Sequence, residues 1–199
     1  MSSNSWLKTK LGAVLSLEYG KSLSESNRDG GEYLVYGSNG VVGSHSEFLV
    51  EGPGIVVGRK GSHGEVVWSD KNFFPIDTTY YVYPTDAIDI RLAYYLLKSV
   101  DLKSLNRSTA IPGLNRNDAY DLDILLPPLP EQKRIVAKLD SLFGHLDQLK
   151  ARLENIPIIL KQFRLAVLTQ AVTGRLTEEW RKLKNIEDQW HEMKFTQLL

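Results

Sequence analysis

The segment "GRKGSHG" (Gly58 to Gly64) spaces three glycines three residues apart and places Arg59, Lys60, Ser62 and His63 between them. Two further segments share this character: "YGSNG" (Tyr36 to Gly40), with Ser38 and Asn39, and "NRSTAIPGLNRND" (Asn106 to Asp118), with Arg107, Asn115 and Arg116. Lys21 follows Gly20 in the same manner. These side chains suit nucleic acid: arginine pairs bidentately with guanine, asparagine with adenine, and lysine, serine and backbone N–H groups with phosphate. Each segment also has a plainer reading. "YGSNG" is a common turn composition, Asn115 to Asp118 is a possible cap of a short helix, and glycine serves turns with positive φ whether or not a ligand approaches.

Catalytic chemistries find less material. A phosphate-binding Walker loop requires a lysine after the last glycine of a Gly-x-x-x-x-Gly run, and "GRKGSHGE" lacks it. No Gly-x-Gly-x-x-Gly opens a helix, which removes the dinucleotide fingerprint. The Pro-Pro pair in "LPPLP" is flanked by leucines rather than by the amide or carboxylate that would grip a flipped base. A metal-dependent nuclease needs clustered carboxylates beside a lysine. Asp77, Asp86 and Asp89 are available, but "DIR" at Asp89 to Arg91 stands where Asp-x-Lys is expected. No cofactor is expected. Zero cysteines and four scattered histidines (His45, His63, His145, His191) provide no metal-ligand spacing.

The elements that must carry these loops fall into two regions. Residues 1–128 alternate short β-like runs ("EYLVYGSNGVVG", "GIVVGRKGSHGEVVW", "TTYYVYP") with turn residues, and "AIDIRLAYYLLKSV" has helical spacing. "TKLGAVLSLEYG" is also expected to be a short helix, closed by Gly20. The reading is an α/β (α+β) domain of short mixed strands and few helices. The chain is net neutral, but residues 1–128 hold 12 Lys/Arg against 15 Asp/Glu and residues 129–199 hold 12 against 9. Neither balance declares a nucleic-acid partner, which needs only a local basic face. The start of the chain has no apolar signal core and no run long enough to span a bilayer, so no membrane association and a cytoplasmic location are expected.

At "LLPPLPEQKR" the pattern changes, and Pro130 suits the first turn of a helix. Ile135, Leu139, Leu142, Leu146, Leu149, Leu153, Ile156, Leu160, Phe163 and Val167 then alternate steps of four and three, a heptad seam of 33 residues. Such a helix would be about 50 Å long at ~1.5 Å per residue. The heptad phase runs through Pro157 unbroken, which predicts one kinked helix rather than a hairpin. Residues 129–175 are therefore expected to form a long coiled-coil-forming helix, capped by Gly174, whose seam needs a second helix. Residues 176–199 are expected to form a linker and the start of a second domain, because "WHEMKFTQLL" (Trp190 to Leu199) aligns with "WLKTKLGAVL" (Trp6 to Leu15).

Beyond these patterns, "LLPPLPEQKRIVAKLDSLFGHLDQLKARLENIPIILKQFRLAVLTQAVTGRLTEEWR" resembles the central conserved region of the specificity subunit of type I restriction–modification systems. "VYGSNGVVG", "GIVVGRKGSHGEVVW", "FFPIDTTYYV" and "AIPGLNRND" resemble one of its target recognition domains. The resemblance implies a non-catalytic protein reading one half of a bipartite site on double-stranded DNA, with methylation and cleavage left to modification and restriction subunits. It also implies one recognition domain (1–128) and one conserved helix of a two-domain design, as a half-subunit or as part of a longer chain. A homodimer through the long helix would restore that design. The alternatives are a metal-dependent nuclease and a coiled-coil assembly factor without a DNA role.

Overall fold

The computed structural model describes residues 6–105 and 112–186. Nine strands lie among them: β1 (Leu7–Lys10), β2 (Leu15–Tyr19), β3 (Tyr33–Gly37), β4 (Gly40–His45), β5 (Gly54–Gly58), β6 (Val66–Ser69), β7 (Phe73–Pro75), β8 (Thr79–Pro84) and β9 (Asp123–Leu126). Four helices accompany them: α1 (Ile90–Ser99), α2 (Arg116–Tyr120), α3 (Leu129–Val172) and α4 (Glu178–Leu183). By its contacts the chain divides between Asp140 and Ser141 into two units.

In the first unit the strands form three small sheets. The largest has the order β2-β8-β5-β6, antiparallel throughout; β1 and β9 pair antiparallel; and β3 lies between β4, antiparallel, and β7, parallel. The mixed, strand-rich architecture agrees with the expectation from the sequence. So do the hairpins at "VYGSNGVVG" and "GIVVGRKGSHGEVVW" and the helix at "IRLAYYLLKS".

One expectation is overturned. "TKLGAVLSLEYG" is not a helix but β1, a single 3-10 turn at Leu11–Ala13, and β2. Its helical spacing (Leu11, Val14, Leu15) coexists with the alternation Leu15-Ser16-Leu17-Glu18. Pairing with β8 settles the competition by burying Leu15 and Leu17 while Ser16 and Glu18 face outward. Gly12 further weakens any helix there.

The main core gathers Leu17, Ile55, Val57 and Val82 from the sheets with Leu11 of the 3-10 turn, Ala93 and Leu97 of α1, Leu114, and Ala119 of α2. A smaller cluster joins Tyr36, Val56 and Phe73 under β3 and β7. Asp89 caps α1 by accepting from the N–H groups of Arg91 and Leu92, at 2.8 and 3.2 Å. That role replaces the one envisaged for it in a nuclease site.

α3 starts inside the first unit. Gln132, fully buried, accepts from Asp89 N–H at 2.7 Å and donates to the carbonyls of Ala87 and Pro127 at 2.8 and 2.9 Å. Truncating it would leave those backbone groups unsatisfied, at a cost of about 1–3 kcal/mol. Two turns later Asp140 accepts from Arg91 Nε at 3.1 Å and from the Tyr95 hydroxyl. Arg91 itself lies 4.5 Å from the centre of the Trp68 ring.

The second unit is helical. α3 is continuous through Pro157 and ends at Val172, where Gly174 adopts φ 72° and its N–H reaches the Ala171 carbonyl at 3.1 Å. From Leu142 to Phe163 every seam residue is exposed. The expected repeat at Trp190 to Leu199 lies outside the described residues. Among the described residues, no helix is long and apolar enough to cross a membrane.

Candidate nucleic-acid interface

The chain folds its polar loops onto one short backbone segment. The Thr78 carbonyl accepts from the N–H groups of Arg59 and Lys60, at 2.9 and 3.2 Å, and from the Ser38 hydroxyl at 2.7 Å. Lys21 N–H donates to the Pro75 carbonyl at 3.0 Å, and Ile76 N–H to that of Tyr36 at 2.9 Å. On the other side, Leu114 N–H bonds the Arg59 carbonyl at 2.8 Å and Gly61 N–H the Pro112 carbonyl at 3.1 Å. Loops distant in sequence thereby share one end of the largest sheet, beside Gly58 of β5 and Thr79 of β8.

The glycines of "GRKGSHG" serve this convergence directly. A Cβ on Gly58 would lie 2.3 Å from the Ser62 carbonyl oxygen and 2.9 Å from that of Ser38, so a side chain there would part the two loops. Gly61 and Gly64 hold φ of 71° and 76°, which lets the loop turn back sharply.

The side chains assemble around an aromatic residue absent from the sequence-based expectation. Tyr19, at the end of β2, has the Arg59 guanidinium 4.9 Å and the Arg116 guanidinium 5.0 Å from its ring centre. Tyr80 completes the group, 5.1 Å from Tyr19 between ring centres and 5.9 Å from Arg59. Arg59 Nε is buried without a hydrogen-bond partner. Arg116 reaches the Leu17 carbonyl only at 3.5 Å. Among the described residues, Lys21, Arg59, Lys60 and Arg116 form no ion pair with a carboxylate.

Burial pushes the Tyr80 phenol up to about 12, with the Tyr19 phenol adding to the shift and Arg59 and Arg116 opposing it. Tyr80 is thus neutral at physiological pH, and the two rings together offer a surface for cations. Two guanidinium groups held on one ring repel each other, and an anionic ligand relieves that repulsion. The arrangement can grip phosphate or the acceptor edge of guanine.

The other candidates divide by what already occupies them. Asn39, Lys60 and Ser62 are exposed, as is Lys21. Asn115 caps α2, accepting from Asn117 N–H at 2.9 Å. His63 places Nδ1 3.1 Å from the Gly61 carbonyl and Nε2 3.0 Å from that of Lys103, which ties its loop to the 3-10 turn at Leu102–Leu105. Arg107 lies outside the described residues. Tyr19 was missed because a lone aromatic before a glycine at a strand end carries no specific signal. Only its place between two arginines, distant in sequence, marks it.

The family described as type I restriction modification DNA specificity domain matches residues 4–157. Among curated relatives, the chain is 32% identical over 183 residues to the type I restriction enzyme EcoDI specificity subunit of Escherichia coli, covering 90% of this chain and 40% of the relative. It is 34% identical over 192 residues to the EcoBI specificity subunit of the same organism, covering 88% of this chain and again 40% of the relative. The chain therefore spans well under half the length of these relatives. A type I restriction–modification S subunit from M. genitalium shares the fold, with TM-score 0.66, 24% identity, and coverage of 97% of this chain and 53% of that one. The HsdS subunit from Thermoanaerobacter tengcongensis does so with TM-score 0.61 and 21% identity, covering 86% of this chain and 45% of that one.

Proposed function

The chain belongs to the type I restriction–modification DNA specificity family, and on that premise we propose that it reads one half of a bipartite site on double-stranded DNA without performing chemistry itself. The observation that carries this reading is the Arg59–Tyr19–Arg116 stack, two cations without carboxylate partners among the described residues, at the end of the sheet where the loops bearing Ser38, Lys60 and Lys21 also meet. Methylation and cleavage then belong to modification and restriction subunits acting in the cytoplasm. The exposed seam of α3 supports an assembly role, either with a second recognition unit's helix or with the same helix of a second copy.

In this reading Arg59 and Arg116 approach guanine edges or phosphates, Lys60, Lys21 and Ser62 contact the backbone, and Asn39 faces the bases. Asn115 and His63 hold the loops in place, and Arg107 contributes to DNA binding from the same polar sequence segment as Arg116. The test is DNA binding by the assembled methyltransferase with Arg59, Lys60 and Arg116 each changed to alanine. Loss of a phosphate contact is expected to weaken all sequences alike and to reduce the salt dependence, log K against log salt, by about 0.9 per contact. Loss of a guanine contact is expected to relax sequence choice by about 1–3 kcal/mol at one position. Unchanged affinity, salt dependence and specificity in the triple variant would refute the assignment.

A further inference from the structure

The β3–β4 hairpin carries a feature that the arginine stack does not use. Tyr36 pairs with Val41 and Gly37 with Gly40, but Val35 pairs with Gly43, so Val42 is an extra residue, a β-bulge. In a regular strand consecutive side chains point to opposite faces. Here Val41 and Val42 both remain in solvent, 54% and 40% exposed. Arg28 Nη1 holds the bulge by donating to the Val42 carbonyl at 2.9 Å. The exposed Asn39 is two residues from Val41, in the two-residue connection Ser38–Asn39.

The tip of this hairpin is tied to the loop that carries Arg59 and Lys60. Ser38 is bonded to the same Thr78 carbonyl that accepts from the backbone of Arg59 and Lys60. A carboxamide beside two exposed branched side chains complements one kind of duplex surface in particular. An adenine–thymine pair in the major groove offers an amide-matching edge on adenine and a methyl group on thymine. The minor groove presents no methyl group, and the major groove is wide enough to admit a two-stranded ribbon.

Resting on the DNA-reading function proposed above, we propose that the β3–β4 tip enters the major groove and selects an A·T pair, with Asn39 on adenine and Val41 and Val42 against the thymine methyl. The bulge is the device that turns both valines outward, and Ser38 fixes the tip relative to the arginines.

The test compares thymine with deoxyuridine, which differs only by that methyl. Methylated sites of the complete system are mapped, and duplexes are made with each thymine of the half-site replaced singly by deoxyuridine. Binding is measured with the assembled complex. The wild type is expected to lose about fourfold in affinity at one position, the loss of one buried methyl group. The Val41→Ser, Val42→Ser variant is expected to bind the thymine duplex more weakly and to show no thymine-over-deoxyuridine preference there. Asn39→Ala is expected to relax the choice of base at the same pair. A half-site without an A·T pair overturns the proposal, as does equal binding of every deoxyuridine duplex by the wild type, or a preference that survives in the double valine variant. Failure of the wider DNA-reading function shows differently, as insensitivity of binding to Arg59 and Arg116.

Discussion

The two units of the chain use the same apolar residues to opposite ends. In the first, Leu11, Leu17, Ile55 and Val57 are each 0% exposed, enclosed by sheets and helices from distant parts of the sequence. In the second, Leu146, Leu149, Leu153 and Phe163 are 44%, 54%, 63% and 64% exposed. Among described residues from 141 to 186, Gly174 is the only buried one. The first unit closes its own core. The second leaves its seam exposed, together with Phe143, Ile158, Ile159, Leu165 and Leu168 off it, and one helix cannot cover its own seam. The difference separates a region whose stability is internal from one whose apolar side chains have no cover among the described residues.

The largest effect that can break this contrast is in the core. Leu17→Ala is expected to destabilise the first unit by about 2–5 kcal/mol, the usual range for a buried leucine with no room to collapse. Leu149→Ala is expected to leave the unfolding free energy of the dilute chain, measured in urea, within about 0.5 kcal/mol of wild type, because the side chain is already 54% exposed. Comparable destabilisation by the two substitutions at low protein concentration would show that the seam is covered within one chain, and the contrast would fall.

Legibility in the sequence follows the range of the interactions. The seam was readable because its periodicity is local and Gln132 to Val172 contains few competing signals. The hairpins were readable for the same reason, with turn residues set between β-branched runs. β1 and β2 were misread because Leu11, Val14 and Leu15 satisfy a helical spacing, and only pairing with β9 and β8 decides between the two periods. The loops of the candidate interface could be identified by residue type, but not their meeting at the Thr78 carbonyl, which joins positions 38, 59, 60 and 78. Tyr19 and the bulge at Val42 arise from that tertiary arrangement and have no local signature.

A second, smaller effect sharpens the contrast from the helix side. If the seam is reserved for a helix, the chain is expected to self-associate as concentration rises into the micromolar range. Leu146→Asp combined with Leu149→Asp is expected to raise the dissociation constant at least tenfold, since each leucine buried in a seam contributes about 1.5–3 kcal/mol. Sedimentation measures the association, and urea unfolding of the dilute protein checks that the first unit is unaffected. A protein that stays monomeric at all concentrations, with or without the substitutions, would remove self-pairing and leave another chain as the seam's partner.

The smallest effect lies at Asp140, the last residue of the first unit, on the same helix that continues into the second. The Tyr95 hydroxyl, followed by Arg91, holds its carboxyl below the ordinary aspartate range despite a partial desolvation that opposes them. A carboxylate whose folded pKa is depressed contributes stability that is present above its unfolded value. That contribution is lost as pH falls through the folded one. The Asp140 side chain is 43% exposed, so solvent screening limits the contribution to below about 1 kcal/mol. Asp140→Asn is therefore expected to lower the urea midpoint slightly at neutral pH. The gap to wild type should close as pH falls below the ordinary aspartate range, where both chains carry a neutral group. Because these contacts are made within the first unit, self-association through the seam should not change. A gap that persists in acid would assign the loss to packing rather than charge. A change in self-association would show that the two units do not divide stability and assembly between them.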